Sequence, residues 1–201
     1  EDLLPLDFNS SISLGEPVTP ILETEVAGAR VLLKLEFLMP TGSFKDRGST
    51  VLISAAKLLG VKRAVVDSSG NAGASIAAYC ARAGISCRVH VPLGASGPKI
   101  RQIRAYGAEV VEEGGRRDAA ARAEKDASSG IFYASHTWNP LFLEGTKTVA
   151  FEVWEYLKEL PDSVVVPSGS GTLLLGFWKG FSELLDLGLI SKIPRIHAVQ
   201  A

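Results

Sequence analysis

Lys45 has a setting that packing alone does not explain. It lies in Pro40-Thr41-Gly42-Ser43-Phe44-Lys45-Asp46-Arg47-Gly48, which follows an apolar strand-like run, Val31–Leu35, and opens a helix-like run reaching Leu59. The spacing puts the lysine in the first helical turn, just after a tight Gly-Ser turn. A cation is disfavoured there because the peptide dipoles present positive charge. The same field, with burial, lowers the pKa of an amine and frees its lone pair for attack. Such an amine can condense with a carbonyl cofactor. Spacing leaves a second reading open, a solvated lysine pairing at the surface beside Ser43 and Asp46.

Two later turns have the composition of anion sites. Ser68-Ser69-Gly70-Asn71-Ala72-Gly73-Ala74-Ser75 follows the strand-like run Ala64–Val66 and starts the next helix. Converging N–H groups at a helix N-terminus suit an amino-acid carboxylate. The Ser69 hydroxyl can add a donor, and Asn71 can reach a cofactor oxygen. Ser, Gly and Asn also make ordinary capped βα turns, so that reading stands beside the first. Val164-Val165-Val166-Pro167-Ser168-Gly169-Ser170-Gly171-Thr172 repeats the strand–turn–helix order. Gly169 and Gly171 let backbone approach a phosphate, and Ser170 and Thr172 offer hydroxyls. A dinucleotide fingerprint fits poorly. The glycines fall at 169, 171 and 176, and no acidic residue follows a next strand at the required distance.

The elements around these turns alternate. Strand-like runs are Val31–Leu35, Ala64–Val66, Cys87–Val91, Glu109–Val111, Phe132–Ala134, Val164–Val166 and Ile196–Val199. Helical runs are Phe44–Leu59, Ala72–Ala83, Lys99–Tyr106, Arg117–Ala127, Glu144–Leu160 and Thr172–Leu187. Short, wholly apolar strands each followed by a helix predict an α/β fold, a parallel sheet with helices on both faces. No repeat, low-complexity segment or flexible linker interrupts the pattern.

With 201 residues the chain can bury a sizeable core as one large or two small domains. A net charge of −1 gives no electrostatic case for nucleic acid or an anionic membrane as a partner. No apolar run approaches a membrane span, and the polar, acidic start is not a signal peptide. Cys80 and Cys87 lack metal-ligand spacing to each other or to His90, His136 and His197, so no metal site is expected. Two buried thiols in a reducing cytosol are the expectation, and with it a cytoplasmic protein.

The segment "PTGSFKDRG" resembles the cofactor-lysine segment of the fold-type-II pyridoxal-phosphate enzymes, most closely the threonine synthases. "SSGNAG" resembles their substrate-carboxylate loop, and "GSGT" (Gly169–Thr172) their phosphate loop, with Thr172 where a third glycine is usual. "LGEPVTPIL" resembles the family's opening segment and departs from it at Pro17 and Val18. The resemblance implies a three-layer αβα fold related to the tryptophan synthase β-chain. Residues 1–49 and 144–201 would belong to a larger cofactor-binding domain, and 50–143 to a smaller inserted one.

It also implies pyridoxal 5'-phosphate as cofactor, held through Lys45 as a Schiff base. Asn71 would contact the ring's phenolic oxygen. Gly169, Ser170, Gly171 and Thr172 would hold the phosphate, and Ser69, Gly70, Asn71 and Ala72 the substrate. The expected activity is a lyase of the threonine-synthase type, O-phospho-L-homoserine and water giving L-threonine and phosphate, in a homodimer. Threonine or serine dehydratases and phosphoserine-dependent synthases stay open, as does a non-catalytic fragment keeping the fold. The chain stops at Val199-Gln200-Ala201, where the resemblance implies more of the large domain, including the group facing the pyridine nitrogen. Phe142 stands where some threonine synthases carry an arginine near the substrate phosphate. Lys99, Arg101 and Lys147 lie in segments that could supply another cation, and Gln102 and Lys99 face either the cleft or solvent.

Overall fold

The computed structural model describes residues 3–5, 11–95 and 97–200. Ala201, the last residue of the terminal segment, lies outside them. A hairpin comes first: β1 (Ile21–Val26) runs antiparallel to β2 (Ala29–Lys34), with Ile21 opposite Lys34 and Val26 opposite Ala29. The predicted pattern has no strand before Val31 and no antiparallel pair, so this is a correction. The turn is Ala27-Gly28, with φ of 50° and 78°. Positive φ at both central positions matches the right-handed strand twist, but Ala is an unusual carrier of it. The usual Asn-Gly signal is therefore missing from the sequence.

After a 3-10 turn at Glu36–Leu38, α1 (Lys45–Leu58) leads into β3 (Arg63–Val66), α2 (Asn71–Ala83), β4 (Ser86–Pro92), α3 (Pro98–Ala105), β5 (Glu109–Glu113), α4 (Arg116–Ser128) and β6 (Phe132–Tyr133). The four strands form one parallel sheet in the order β5-β4-β3-β6. Helices α5 (Pro140–Thr146) and α6 (Thr148–Leu157) follow. Then come β7 (Ser163–Pro167), α7 (Thr172–Asp186) and β8 (Arg195–Val199), with β7 and β8 parallel. The single helix expected over Glu144–Leu160 is two, broken at Lys147. Thr146 Oγ1 donates back to the Phe142 carbonyl, and Thr148 Oγ1 to that of Gly145, each at 2.8 Å. Hydroxyls that bond the preceding turn in this way bend helices.

Two apolar cores result. One holds Leu52, Ile53, Val66, Ile76, Tyr79, Val89, Ile103 and Phe142. The other holds Val149, Val153, Val166, Phe177, Phe181 and Leu184. In the second, Phe177, Phe181 and Leu184 recur at helical spacing and so share one face of α7. Between the cores, Arg47 on α1 pairs with Glu36 and with Glu152 on α6, each at 2.7 Å. Lys34 reaches Glu152 at 2.5 Å. Burial works against the charge on Arg47, but the bonds and fields of Glu36 and Glu152 raise its pKa. The network ties the hairpin and α6 to the helix that begins at Lys45. Cys80 and Cys87 are both buried free thiols. No helix among the described residues is long and apolar enough to cross a membrane.

Candidate active site

Lys45 is the first residue of α1 and is 7 % exposed. Its position follows from the loop before it. The Lys45 N–H bonds Ser43 Oγ at 3.2 Å, and the Asp46 and Arg47 N–H groups bond the carbonyls of Ser43 and Phe44. Asp46 has no exposed surface; its carboxylate accepts from the Thr41 N–H at 2.7 Å, Thr41 Oγ1 at 2.6 Å and Ser75 Oγ at 2.5 Å. Burial raises the Asp46 pKa against the lowering effect of those bonds. One carboxylate thus pins the loop before Lys45 to the first turns of α2.

The Lys45 amine points across to the turn before α7. Nζ donates to Thr172 Oγ1 at 2.6 Å and lies 3.1 Å from Ser170 Oγ. It sits 4.6 Å from the Phe44 ring centroid and 5.6 Å from that of Phe142. Burial lowers its pKa to about 8. No carboxylate lies within ion-pair distance of it among the described residues. The surface ion pair left open by spacing is absent: Asp46 accepts from Thr41 and Ser75 instead.

The turn that meets the amine, Gly169–Thr172, opens α7. Gly171 caps α7 at φ 79°, a conformation with little penalty only for glycine, and no side chain caps the helix. A Cβ on Gly169 or Gly171 would meet nothing within 4 Å, so the space in front of the turn is open. Helix N–H groups facing an open space, with a buried amine and two hydroxyls beside them, suit a carbonyl compound that carries a phosphate. The residues present therefore fit pyridoxal phosphate.

The other predicted positions are placed less tightly. Gly70 caps α2 and Asn71 begins it, with Ser69 and Gly70 partly exposed, Asn71 exposed and Ala72 buried. No hydrogen bond joins the side chain of Ser69 or Asn71 to Lys45 among the described residues. Gln102 does more than present a solvated helix face. Its amide donates to the Thr41 carbonyl at 3.1 Å and its oxygen accepts from Lys99 Nζ at 2.9 Å. Lys147 is committed to Glu144 and Glu183. Phe142 is fully buried, its ring so close that a Cβ on Gly48 would come within 2.5 Å of it.

Sequence reasoning also missed His136. Its ring stands edge-on to Phe142, centroids 6.0 Å apart at 69°. Burial, then the charge on Lys45, push its pKa down to about 4. Position after a strand, the one available signal, does not place a ring beside a lysine 91 residues away in the sequence.

Residues 12–201 match the family model described as pyridoxal-phosphate dependent enzyme. A threonine synthase of Methanocaldococcus jannaschii is 40% identical over 210 residues, covering 100% of this chain and 52% of its own length. A threonine synthase of Mycobacterium bovis is 37% identical, covering 100% and 58%. The crystal structure of a pyridoxal 5'-phosphate-dependent aspartate racemase superposes with a TM-score of 0.80 at 27% identity, over 94% of this chain and 58% of that one. The chain spans about half the length of the curated relatives it matches.

Proposed function

Because the chain belongs to the family of pyridoxal-phosphate dependent enzymes, we propose that it carries the cofactor lysine and phosphate turn of an enzyme that makes L-threonine from O-phospho-L-homoserine and water. The observation that carries the reading is the Lys45 amine, buried and 2.6 Å from Thr172 at the open N-terminus of α7. The threonine synthase relatives supply the choice of reaction.

When bound, pyridoxal phosphate supplies an electron sink that stabilises negative charge at the substrate's α-carbon. The chain's own residues do the rest. Lys45 would hold the cofactor, and its free amine would take up and return a proton at Nζ. A pKa of about 8 suits that exchange near neutrality, because the amine and ammonium forms are both accessible. Ser170 and Thr172 orient Nζ, and the α7 N–H groups take the phosphate. The turn Ser69–Ala72 receives the substrate carboxylate, with Asn71 toward the cofactor ring. Asp46 holds that turn's helix against the lysine loop through Ser75. The two cores support a smaller unit, residues 50–143, set into a larger one formed by 1–49 and 144–201.

A second reading has one observation in its favour. Phe142 is uncharged and fully buried, and Lys147 is already paired with Glu144 and Glu183, so neither offers a phosphate a free cation. A phosphate dianion needs cationic or multiple N–H partners when desolvated. Dehydration of threonine or serine needs none. The test offers phosphohomoserine and threonine separately to the full-length protein and measures phosphate, threonine and 2-oxobutyrate. Phosphate release with threonine formed supports the synthase. Oxobutyrate from threonine, with phosphohomoserine untouched, overturns it in favour of the dehydratase.

A further inference from the structure

Gln102 stands half-buried on α3, and both ends of its side-chain amide are engaged. Nε2 donates to the Thr41 carbonyl at 3.1 Å and to the Tyr106 hydroxyl at 3.0 Å. Oε1 accepts from Lys99 Nζ at 2.9 Å. These partners allow one orientation of the amide. An ammonium only donates and must face the oxygen, while a carbonyl only accepts and must face the nitrogen. The reversed amide would set oxygen against carbonyl and nitrogen against ammonium.

The amide is not what holds α3 in place. Ile100 and Ile103, on the same helix, are buried in the core that contains Val66, Ile76 and Val89. A Cβ on Gly73 would come within 3.2 Å of Ile103 Cδ1, so α3 packs closely on the start of α2. With the helix anchored by packing, Gln102 acts on what it reaches, a carbonyl 61 positions away in the sequence.

That carbonyl belongs to the residue that holds the lysine loop. Thr41 is buried, and its N–H and Oγ1 donate to the two oxygens of Asp46 at 2.7 Å and 2.6 Å. Gly42 follows at φ 85°, its N–H bonded to the Met39 carbonyl at 2.8 Å. Asp46 has no exposed surface, and Thr41 supplies two of the three hydrogen bonds that its carboxylate accepts among the described residues. A desolvated carboxylate depends on such donors. Asp46 is also the residue next to Lys45. A line of contacts therefore runs from α3 through Gln102, Thr41 and Asp46 to the amine-bearing residue.

We infer that Gln102 is a positioning residue for Lys45: by tying the Thr41 carbonyl to α3, it fixes the Thr41–Asp46 bonds that set the amine in its buried place. The inference rests on Lys45 being the cofactor lysine. Gln102 acts through Thr41 and Asp46 and needs no contact with cofactor or substrate.

The test uses the full-length protein, first without cofactor and then with it. Gln102→Met keeps the length of the side chain and removes the amide. Gln102→Glu keeps the shape and the acceptor for Lys99 but offers Thr41 no proton. Ile103→Val trims the neighbouring core residue, leaves the amide in place and measures a purely structural loss on α3. In the apoprotein, acylation of Lys45 by trace acetic anhydride is followed across pH by peptide mapping. The wild-type profile should centre at about 8. In Gln102→Met it should move up toward the ordinary 10.5, because a loosened loop lets water reach the amine. Acylation of Lys45 at pH 7 then falls about 3–10-fold. The rate at which added pyridoxal phosphate develops its visible band should fall by a similar factor in both Gln102 variants. Ile103→Val should keep the wild-type profile and rate. Wild-type behaviour in either Gln102 variant, or the same loss in Ile103→Val, overturns the inference alone. A wild type that develops no band, or that borohydride does not label at Lys45, overturns the cofactor reading, and the inference with it.

Discussion

Lys45 Nζ donates to Thr172 Oγ1 at 2.6 Å, joining residues 127 positions apart. The contact sets the first turn of α1 against the first turn of α7, so a buried amine lies beside a helix start that no side chain caps. Lysines are normally solvated because burying an ammonium is costly. Here no carboxylate among the described residues lies within ion-pair distance to offset that cost.

Reconstitution with pyridoxal phosphate followed by borohydride reduction should label Lys45. Peptide mapping checks this. Lys147 is held between Glu144 and Glu183, and Lys34 is bound to Glu152, so neither should react at neutral pH. A label on either would remove Lys45 from the cofactor site.

Without cofactor, Lys45→Met should stabilise the protein at pH 7. Burial lowers the folded-state pKa of Lys45 to about 8, against 10.5 for the free side chain. Between those values the unfolded chain binds more protons, so wild-type stability rises with pH there. At pH 7 the native state still carries the buried charge. The variant's advantage should be on the order of 1–3 kcal/mol at pH 7 and shrink as pH rises through 8 toward 10.5. Urea unfolding of the apoprotein at several pH values reads this. An advantage that grows with pH would mean the amine is not desolvated.

How legible was this site in the residue order? The alternation of βα units gave the parallel sheet, because strand periodicity and turn residues are local signals. Lys45, Ser170 and Thr172 could be singled out because each stands at a strand-to-helix turn, where backbone donors are free. What pairs them is tertiary. Nothing local shows that the turn at 169–172 meets the turn at 42–45, and the family resemblance supplied that link. Phe142 read as a lost arginine; its second role, a ring filling the space against Gly48 beside Lys45, depends on α5 packing on α1. Arg47 and Glu152 show the same limit, since an ion pair spanning 105 positions has no local signature. The hairpin at Ala27-Gly28 was missed for a local reason, an alanine where asparagine is usual.

Gly169→Val should separate cofactor binding from folding. Gly169 has no neighbour within 4 Å of an added Cβ and its φ lies outside the left-handed region, so the fold has room for a side chain. The unfolding free energy should change by no more than about 0.5 kcal/mol. Cofactor retention after dialysis, followed by visible absorbance, should fall at least roughly tenfold, since the side chain fills the space assigned to the phosphate. Unchanged retention would move the phosphate elsewhere.

Gly48→Ala should destabilise through Phe142. The added Cβ would come within 2.5 Å of the Phe142 ring, which is fully buried and bounded by His136 and Lys45. Overpacking of this kind costs about 1–3 kcal/mol. Phe142→Leu alone removes ring volume and should also destabilise. If the clash is the cause, the double variant should be more stable than the sum of the two single effects predicts, because the shorter side chain makes room for the methyl group. Urea unfolding of all four proteins measures the coupling, expected to be on the order of 1 kcal/mol. Full additivity would show that the ring moves aside freely. In that case Phe142 would not be a fixed wall beside Lys45, and its substitution by arginine would meet no steric barrier at Gly48.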